Sequence, residues 1–413
     1  MNQPIEKKLI DHLFRQEAGK MISVLAKIFG FSRLDEAEDV VQETFIAAFE
    51  TWKINGIPEN PTAWLFKVAK NKLLNHISRG KNYEKILKEN HSVFPIEYRL
   101  SAKLEEEINH LEDSQIQMLF AISHPEIPVD SRVVLALKTL CGFSIEEIAK
   151  SFLTNKETIN KKLYRAREKI KEKKIEIIKL DGINYKDRMG SVLKCLYLLF
   201  NEGYFSSSKK AILRKDLCLE AMRLCLLLIE FPITNTEEVN ALMALMCFHS
   251  SRFESRIDSY GEILSLDEQD KNTWNIDLIQ KGIFFLQASQ KENTILTDYH
   301  LEAMIAFLHT QVDNQEKWEN LLVLYDKLIE LHDNPIIQLN RIYVLSKVKT
   351  EKIAVEELKK IKKLETNYLY YTLMGKLFLK INPKEAEKNF SLALKFCNTE
   401  SEKKIILKKY LKK

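Results

Sequence analysis

The stretch GFSIEEIAKSFLTNKETINKKLYRAREKI (142–170) decides how the chain is read. Ser144 and Glu147 form an S-x-x-E capping box, in which hydroxyl and carboxylate satisfy each other's helix-start N–H groups. A short helix is therefore predicted from Ile145, with small Ala149 facing inward. Gly142 suits the position after a preceding helix end, where φ is often positive. Leu153-Thr154-Asn155 is a turn that leads into a second helix from Lys156. There Ile159, Leu163, Ala166 and Ile170 recur at i, i+4, i+7 and i+11 and make one apolar stripe. The outer side carries Glu157, Asn160, Lys161, Tyr164 and Arg165, with Lys162 beside them and Arg167 and Lys169 further along. Two short helices joined by a tight turn, the second basic, form a helix-turn-helix, whose second helix fits the major groove. Asn, Lys and Arg on such a helix can read base edges. An ordinary αα-hairpin is the competing reading. The cap, the small inward residue, the turn and the basic face occur together, which favours DNA.

The rest of the chain agrees with a helical protein. Of 413 residues only 11 are Gly and 9 are Pro, against 45% hydrophobic and 29% charged. So few turn-formers argue against sandwiches and barrels. No two glycines lie two or five apart, which removes the glycine-rich nucleotide loops. The six cysteines contain no CxxC pair and sit among apolar residues, as reduced core residues of a cytosolic chain do. No metal-ligand spacing, cofactor fingerprint or catalytic set is present, and neither a signal peptide nor a membrane span is seen. The expectation is an all-α cytoplasmic protein, not an enzyme, with no cofactor.

The net charge of +5 is unevenly spread. Lys156 to Lys179 holds ten Lys/Arg and four Glu, and Lys67 to Lys88 holds seven Lys/Arg against Glu84. Two basic helices suggest two contacts with a polyanion, although solvated helix faces give the same pattern. Upstream, residues 9–30 and 35–52 read as helices. In the second, Val41, Phe45, Ala48 and Trp52 share an apolar side, and Asp39, Gln42, Glu43 and Glu50 lie opposite. Lys53 to Pro61 reads as a loop, with Asn60 as N-cap and Pro61 at the first helical position. The helix that follows buries Phe66, Ala69, Leu73 and Ile77 and exposes Lys67, Lys70, Asn71, Asn75 and Ser78. Residues 80–112 read as a polar tether that holds the two basic helices apart, 113–179 as a compact helical unit, and the remainder as helices of 12–18 residues.

The DEAEDVVQETF helix, the PTAWLFKVAKNKLLN helix and the helix-turn-helix together resemble the extracytoplasmic-function sigma factors of bacterial RNA polymerase. YLLFNEGYFSS (197–207), LDEQDKNTW (266–274), YHLEAMIAFLH (299–309) and NPIIQLNRIYVL (334–345) resemble a subgroup with a long C-terminal helical extension. The resemblance implies a sigma domain 2 at 1–80, a linker at 81–112, a sigma domain 4 at 113–180 and an extension at 181–413. It implies two partners, core RNA polymerase and promoter DNA. Asp39, Gln42 and Glu43 would dock on the polymerase clamp. Asn55, Asn60, Lys67, Lys70, Asn71, Asn75 and Arg79 would meet the minus-ten element. Lys156, Glu157, Asn160, Lys161, Lys162, Arg165, Arg167 and Lys169 would meet the minus-thirty-five element. The family's usual Asp and paired Arg near 75–79 are replaced by Asn75, Ser78 and Arg79. Trp52 and Trp64 have the means to stack on bases, but their helical spacing favours core packing.

Near the end, Tyr371, Gly375, Phe378, Ala386, Phe390 and Ala393 resemble a tetratricopeptide repeat, with one residue missing in the turn. Arrays of this kind bind a partner, either another protein or a segment of the same chain. Asn201, Glu202, Gln269, Asp270, Asn340 and Arg341 either line that face or pin helix packing from within. Three functions follow: a promoter-specificity subunit, a stand-alone helix-turn-helix regulator with a sensing domain, or a helical scaffold. The acidic 35–50 helix favours the first, because neither rival needs it.

Overall fold

The computed structural model describes residues 3–79, 111–152, 154–178, 185–204, 214–258, 264–292, 294–332, 334–362, 364–397 and 400–411. Among them the chain is helical without strands. Contacts divide it into two units, Met1–Gly203 with Leu219–Thr234, and Tyr204–Cys218 with Asn235–Lys413.

The first unit begins with α1 (Gln3–Phe29), α2 (Leu34–Asn55) and α3 (Pro61–Arg79). Their shared core takes Val41, Phe45, Ala48 and Trp52 from α2 and Phe66, Ala69 and Leu73 from α3, all buried as their spacing requires. Trp52 is buried and packs edge-on against half-buried Trp64 with centroids 5.3 Å apart, as core packing requires of Trp52. The side chain of Ile77 lies outside the described ones. The predicted loop starts later than its sequence suggests. Helix α2 runs through Asn55 and stops at Gly56, whose φ of 78° only glycine adopts at little cost. Asn60 accepts from the Ala63 N–H at 3.0 Å and caps α3 ahead of Pro61.

Four helices follow: α4 (Leu111–Ile122), α5 (Val129–Thr139), α6 (Ile145–Ser151) and α7 (Lys156–Glu172). Both sides of the Ser144–Glu147 box form, Asn155 caps α7 through the Thr158 N–H, and Gly142 has φ 66°. Ile159, Leu163, Ala166 and Ile170 are buried. Residues 80–110, which include nearly all of the expected tether, lie outside the described residues.

The helices on either side of residues 80–110 pack against each other. Helix α1 packs on α4 and α5 as well as on α2 and α3. Gly19 of α1 lies so close to the end of α5 that a Cβ there would stand 2.1 Å from the Leu140 carbonyl oxygen. Arg15 of α1 pairs with Glu147 at 2.5 Å, and Lys27 donates to Ser114 at 3.4 Å. Two helices from the next part of the chain also contribute here, α8 (Tyr185–Tyr204) and α9 (Lys215–Glu230). Arg223 of α9 donates to the Leu140 carbonyl at 3.3 Å.

The second unit stacks successive helices: α10 (Glu237–Ser250), α11 (Ile276–Ala288), α12 (Asp298–Thr310), α13 (Gln315–Leu331), α14 (Pro335–Val348), α15 (Glu351–Leu358), α16 (Tyr368–Phe378), α17 (Pro383–Phe396) and α18 (Glu400–Ile406). Each of these packs on its neighbour in sequence. Glycine sets the closest approaches. A Cβ on Gly375 of α16 would stand 2.5 Å from the Phe390 ring of α17, and one on Gly282 of α11 would stand 2.6 Å from Phe248 of α10. Ala386, Phe390 and Ala393 are buried, as the repeat-like spacing requires.

Candidate nucleic-acid interface

Helix α7 presents its outer face as the sequence indicates. Lys156, Glu157, Asn160, Lys161, Tyr164 and Arg165 are exposed, Tyr164 at 64%. Two of these lysines already have acidic partners: Lys156 pairs with Glu146, and Lys161 with Glu157 at 2.8 Å. Surface pairs of this kind contribute little and are readily exchanged for phosphate. Lys169 pairs with Glu172 at 2.7 Å.

Lys162 and Arg167 are placed differently. Lys162 is half-buried, 3.3 Å from Asp130 and 5.6 Å from the centroid of the Phe152 ring. Its positive charge also reaches Glu202 of α8, whose carboxyl burial raises and Lys162 pulls back down. Arg167, expected to meet phosphate, turns inward. Its Nε lies 2.7 Å from Asp35 and its Nη2 donates to Glu38 at 2.9 Å, both on α2. Glu38 is buried, and Thr139 of α5 lies 3.4 Å away as a further donor. Burial raises the Glu38 carboxyl above its usual range, and Arg167 and Lys138 oppose that shift. A charge at the start of a helix ordinarily serves the macrodipole. Here Glu38 joins α2 to α5 and α7, a contact no local pattern announces.

On α2, Asp39, Gln42 and Glu43 are exposed together, and Glu43 takes an ion pair from Lys72 of α3 at 3.1 Å. The same face continues as Ile46 and Phe49, 58% and 45% exposed. The sequence reading missed these two, although they follow Gln42 at i+4 and i+7. An apolar patch beside carboxylates is the composition of a protein-docking face. Beyond it, Asn55 and Asn60 flank the Gly56 turn, both exposed, with Ile54 83% exposed. Lys67, Asn71 and Asn75 line the exposed side of α3 and Lys70 is half-buried, while the Arg79 side chain lies outside the described ones. The predicted residues thus fall into three patches: the α2 face, the 55–75 surface and the α7 face. Asn201 and Glu202 belong to the first unit, and Gln269, Asp270, Asn340 and Arg341 to the second. Gln269 is buried and donates to the Leu264 carbonyl at 3.2 Å, Arg341 pairs with Asp326, and Asn340 is exposed.

No described helix is long and apolar enough to cross a membrane. The chain matches the family model for sigma-70 region 2 over residues 13–83 and that for sigma-70 region 4 over 124–170. Residues 188–290 match a family of unknown function, DUF6596. An uncharacterized protein of Rhizobium meliloti (strain 1021) is 29% identical over 379 residues, which is 90% of this chain and 88% of that protein. The ECF RNA polymerase sigma-E factor of Haemophilus influenzae is 25% identical over 171 residues, covering 41% of this chain and 88% of that one. The RNA polymerase sigma-H factor of Pseudomonas aeruginosa is 27% identical over 175 residues, 40% of this chain and 86% of that one. No solved structure matches the chain significantly. With region 2 and region 4 in order and a further helical segment behind them, the chain matches the extracytoplasmic-function sigma factors that carry a C-terminal extension.

Proposed function

We propose that the chain is a promoter-specificity subunit that binds core RNA polymerase, directs it to a two-element promoter and carries no chemistry of its own. Residues 1–80 act as the domain for the polymerase clamp and the minus-ten element, 113–180 as the minus-thirty-five domain, and 181–413 as a regulatory extension joined through 81–112. The observation that carries the reading is the α2 face, where exposed Asp39, Gln42 and Glu43 adjoin exposed Ile46 and Phe49. A stand-alone DNA-binding regulator has no use for such a face on a separate helix.

In this reading Asn55, Asn60, Lys67, Lys70, Asn71, Asn75 and Arg79 follow the opened minus-ten strand. A base swung out of the stack costs a few kcal/mol, which polar edge contacts offset. Lys161 and Arg165 read bases at the minus-thirty-five element, and Lys156, Lys162, Arg167 and Lys169 hold phosphates, with Glu157 and Asn160 at the same edge.

Engaging both elements requires the two domains to part. Elements centred 25 base pairs apart lie about 85 Å from each other at about 3.4 Å per base pair. Domains joined by an Arg167–Asp35 contact of 2.7 Å cannot span that distance. The chain between Arg79 and Leu111, fully extended, reaches about 100 Å, which is enough. Opening also releases Arg167 for DNA.

The test is run-off transcription with purified core polymerase and the full-length chain. A truncation near residue 182 is a poor substitute, because it strips α8 and α9 from the unit that holds the helix-turn-helix. Specific initiation that Arg165→Ala weakens and Phe49→Asp abolishes is expected. Tight duplex binding by the chain alone, with no complex with core polymerase, would overturn the reading in favour of the stand-alone regulator.

A further inference from the structure

In the second unit, one short segment is pinned by residues far from it in sequence. Residues 264–275 leave and rejoin a single turn: the Leu264 N–H donates to the Arg256 carbonyl and the Asn275 N–H to the Ser251 carbonyl, each at 2.8 Å. Between these pins lie two 3-10 turns, Leu266–Glu268 and Lys271–Thr273, neither of which buries a residue. Buried Gln269 and Trp274 seat the segment. Its acidic side chains are held by charge.

The partners come from elements far apart in sequence. Lys409, in the last turn of the chain (Leu407–Leu411), pairs with Glu268 and reaches Ser265 at 3.2 Å, 144 residues away. Lys376 of α16 stands 4.0 Å from Asp267. Lys271 donates to the Gln311 carbonyl at 3.3 Å and lies 3.7 Å from Asp313, which Lys317 of α13 also holds. Tyr343 of α14 and Tyr410 stand close enough to these carboxylates to feel their charge. Burial pushes the Asp267 and Glu268 carboxyls up, but Ser265 with the charges of Lys376 and Lys409 outweighs it at Asp267, and Lys409 with Ser265 outweighs it at Glu268, so both stay below the usual range.

We propose that the face made by Tyr343, Lys376, Lys409 and Tyr410 is a docking surface for an acidic, turn-forming segment of a partner protein, and that residues 264–270 are its resident occupant. Charge complementarity selects the partner's chemistry, and the seated segment shows the chain conformation the face accepts. A tethered occupant competes at an effective concentration of about millimolar, so a soluble peptide meets a largely filled site until the occupant is weakened. The inference concerns the extension alone and stands apart from the promoter reading.

The experiment uses the full-length chain and a fluorescein-labelled peptide with the sequence of residues 264–270, followed by anisotropy. The Asp267→Asn/Glu268→Gln variant is expected to bind it at least about tenfold more tightly than the unsubstituted chain, with affinity that falls as salt rises. Adding Lys376→Glu and Lys409→Glu should abolish binding, and a peptide with lysines in place of Asp267 and Glu268 should not bind. Circular dichroism verifies the fold. If the double variant loses helicity, Glu268→Gln alone provides the reading, with a smaller gain expected. Binding no tighter than that of the unsubstituted chain, in a variant with native helicity, overturns the proposal. No polymerase or promoter enters the measurement, so its failure leaves the transcription reading as it was.

Discussion

Replacing Gly19 with alanine tests whether the two N-terminal domains are held together by a close helix approach. In a solvated helix interior, Gly→Ala stabilises by about 0.5–1 kcal/mol. Here the added Cβ would stand 2.1 Å from the Leu140 carbonyl oxygen, a rigid backbone atom, so α1 and the end of α5 must separate by about 1.3 Å to restore ordinary contact. Overpacking of this kind costs about 1–3 kcal/mol. The steric term wins, with a net loss of about 1 kcal/mol, roughly fivefold in the closed-to-open ratio. The same shift loosens the Arg167 contacts to Asp35 and Glu38, which cross the same interface. Spin labels on Glu59→Cys and Lys171→Cys, both exposed positions, in a Cys397→Ser background report the separation of the domains. Gly19→Ala should add a population at longer distance and lower the urea midpoint. A raised midpoint with an unchanged distance distribution would show that helix propensity prevails and that the domains are not wedged apart.

Other outcomes follow from the same geometry. Because burial raises the Glu38 carboxyl in the folded state, the stability it contributes is complete below its unfolded value of 4.5 and declines as pH rises through the folded value. Urea midpoints of the unsubstituted chain and Glu38→Gln, compared from pH 4 upward, should therefore diverge with the unsubstituted chain losing ground; parallel curves would contradict this. Lys161→Ala should leave the melting temperature alone and cost about 1–3 kcal/mol at one promoter position. Lys162→Ala, which removes a half-buried contact with Asp130 and Phe152, should lower stability by about 1 kcal/mol and weaken all sites alike, as melts and a promoter scan will distinguish. Gly375→Ala should destabilise the second unit by about 1–3 kcal/mol, and Phe390→Leu should recover part of that in thermal melts, since the clash is with the Phe390 ring.

What the sequence determined on its own was local. The capping box at Ser144 and Glu147, the Asn155 and Asn60 caps, the Gly142 turn and the stripe Ile159–Leu163–Ala166–Ile170 depend on neighbours within a few residues, and each appears where the pattern puts it. The exposed faces of α2 and α7 follow from the same periodicity, because a stripe that must be buried fixes the side that cannot be. Only the tertiary structure decided which charges meet across long separations. Arg167 looks like one more outward cation on a basic helix until its 129-residue-distant partner Glu38 is in place. Glu38 likewise looks like one more acidic residue near the start of a helix. The acidic segment at 267–268 gives no sign of Lys376 and Lys409. A hydrophobic period repeats and can be read along the chain. An ion pair between distant helices obeys no period, and it exists only because packing at places such as Gly19 brings two backbones together.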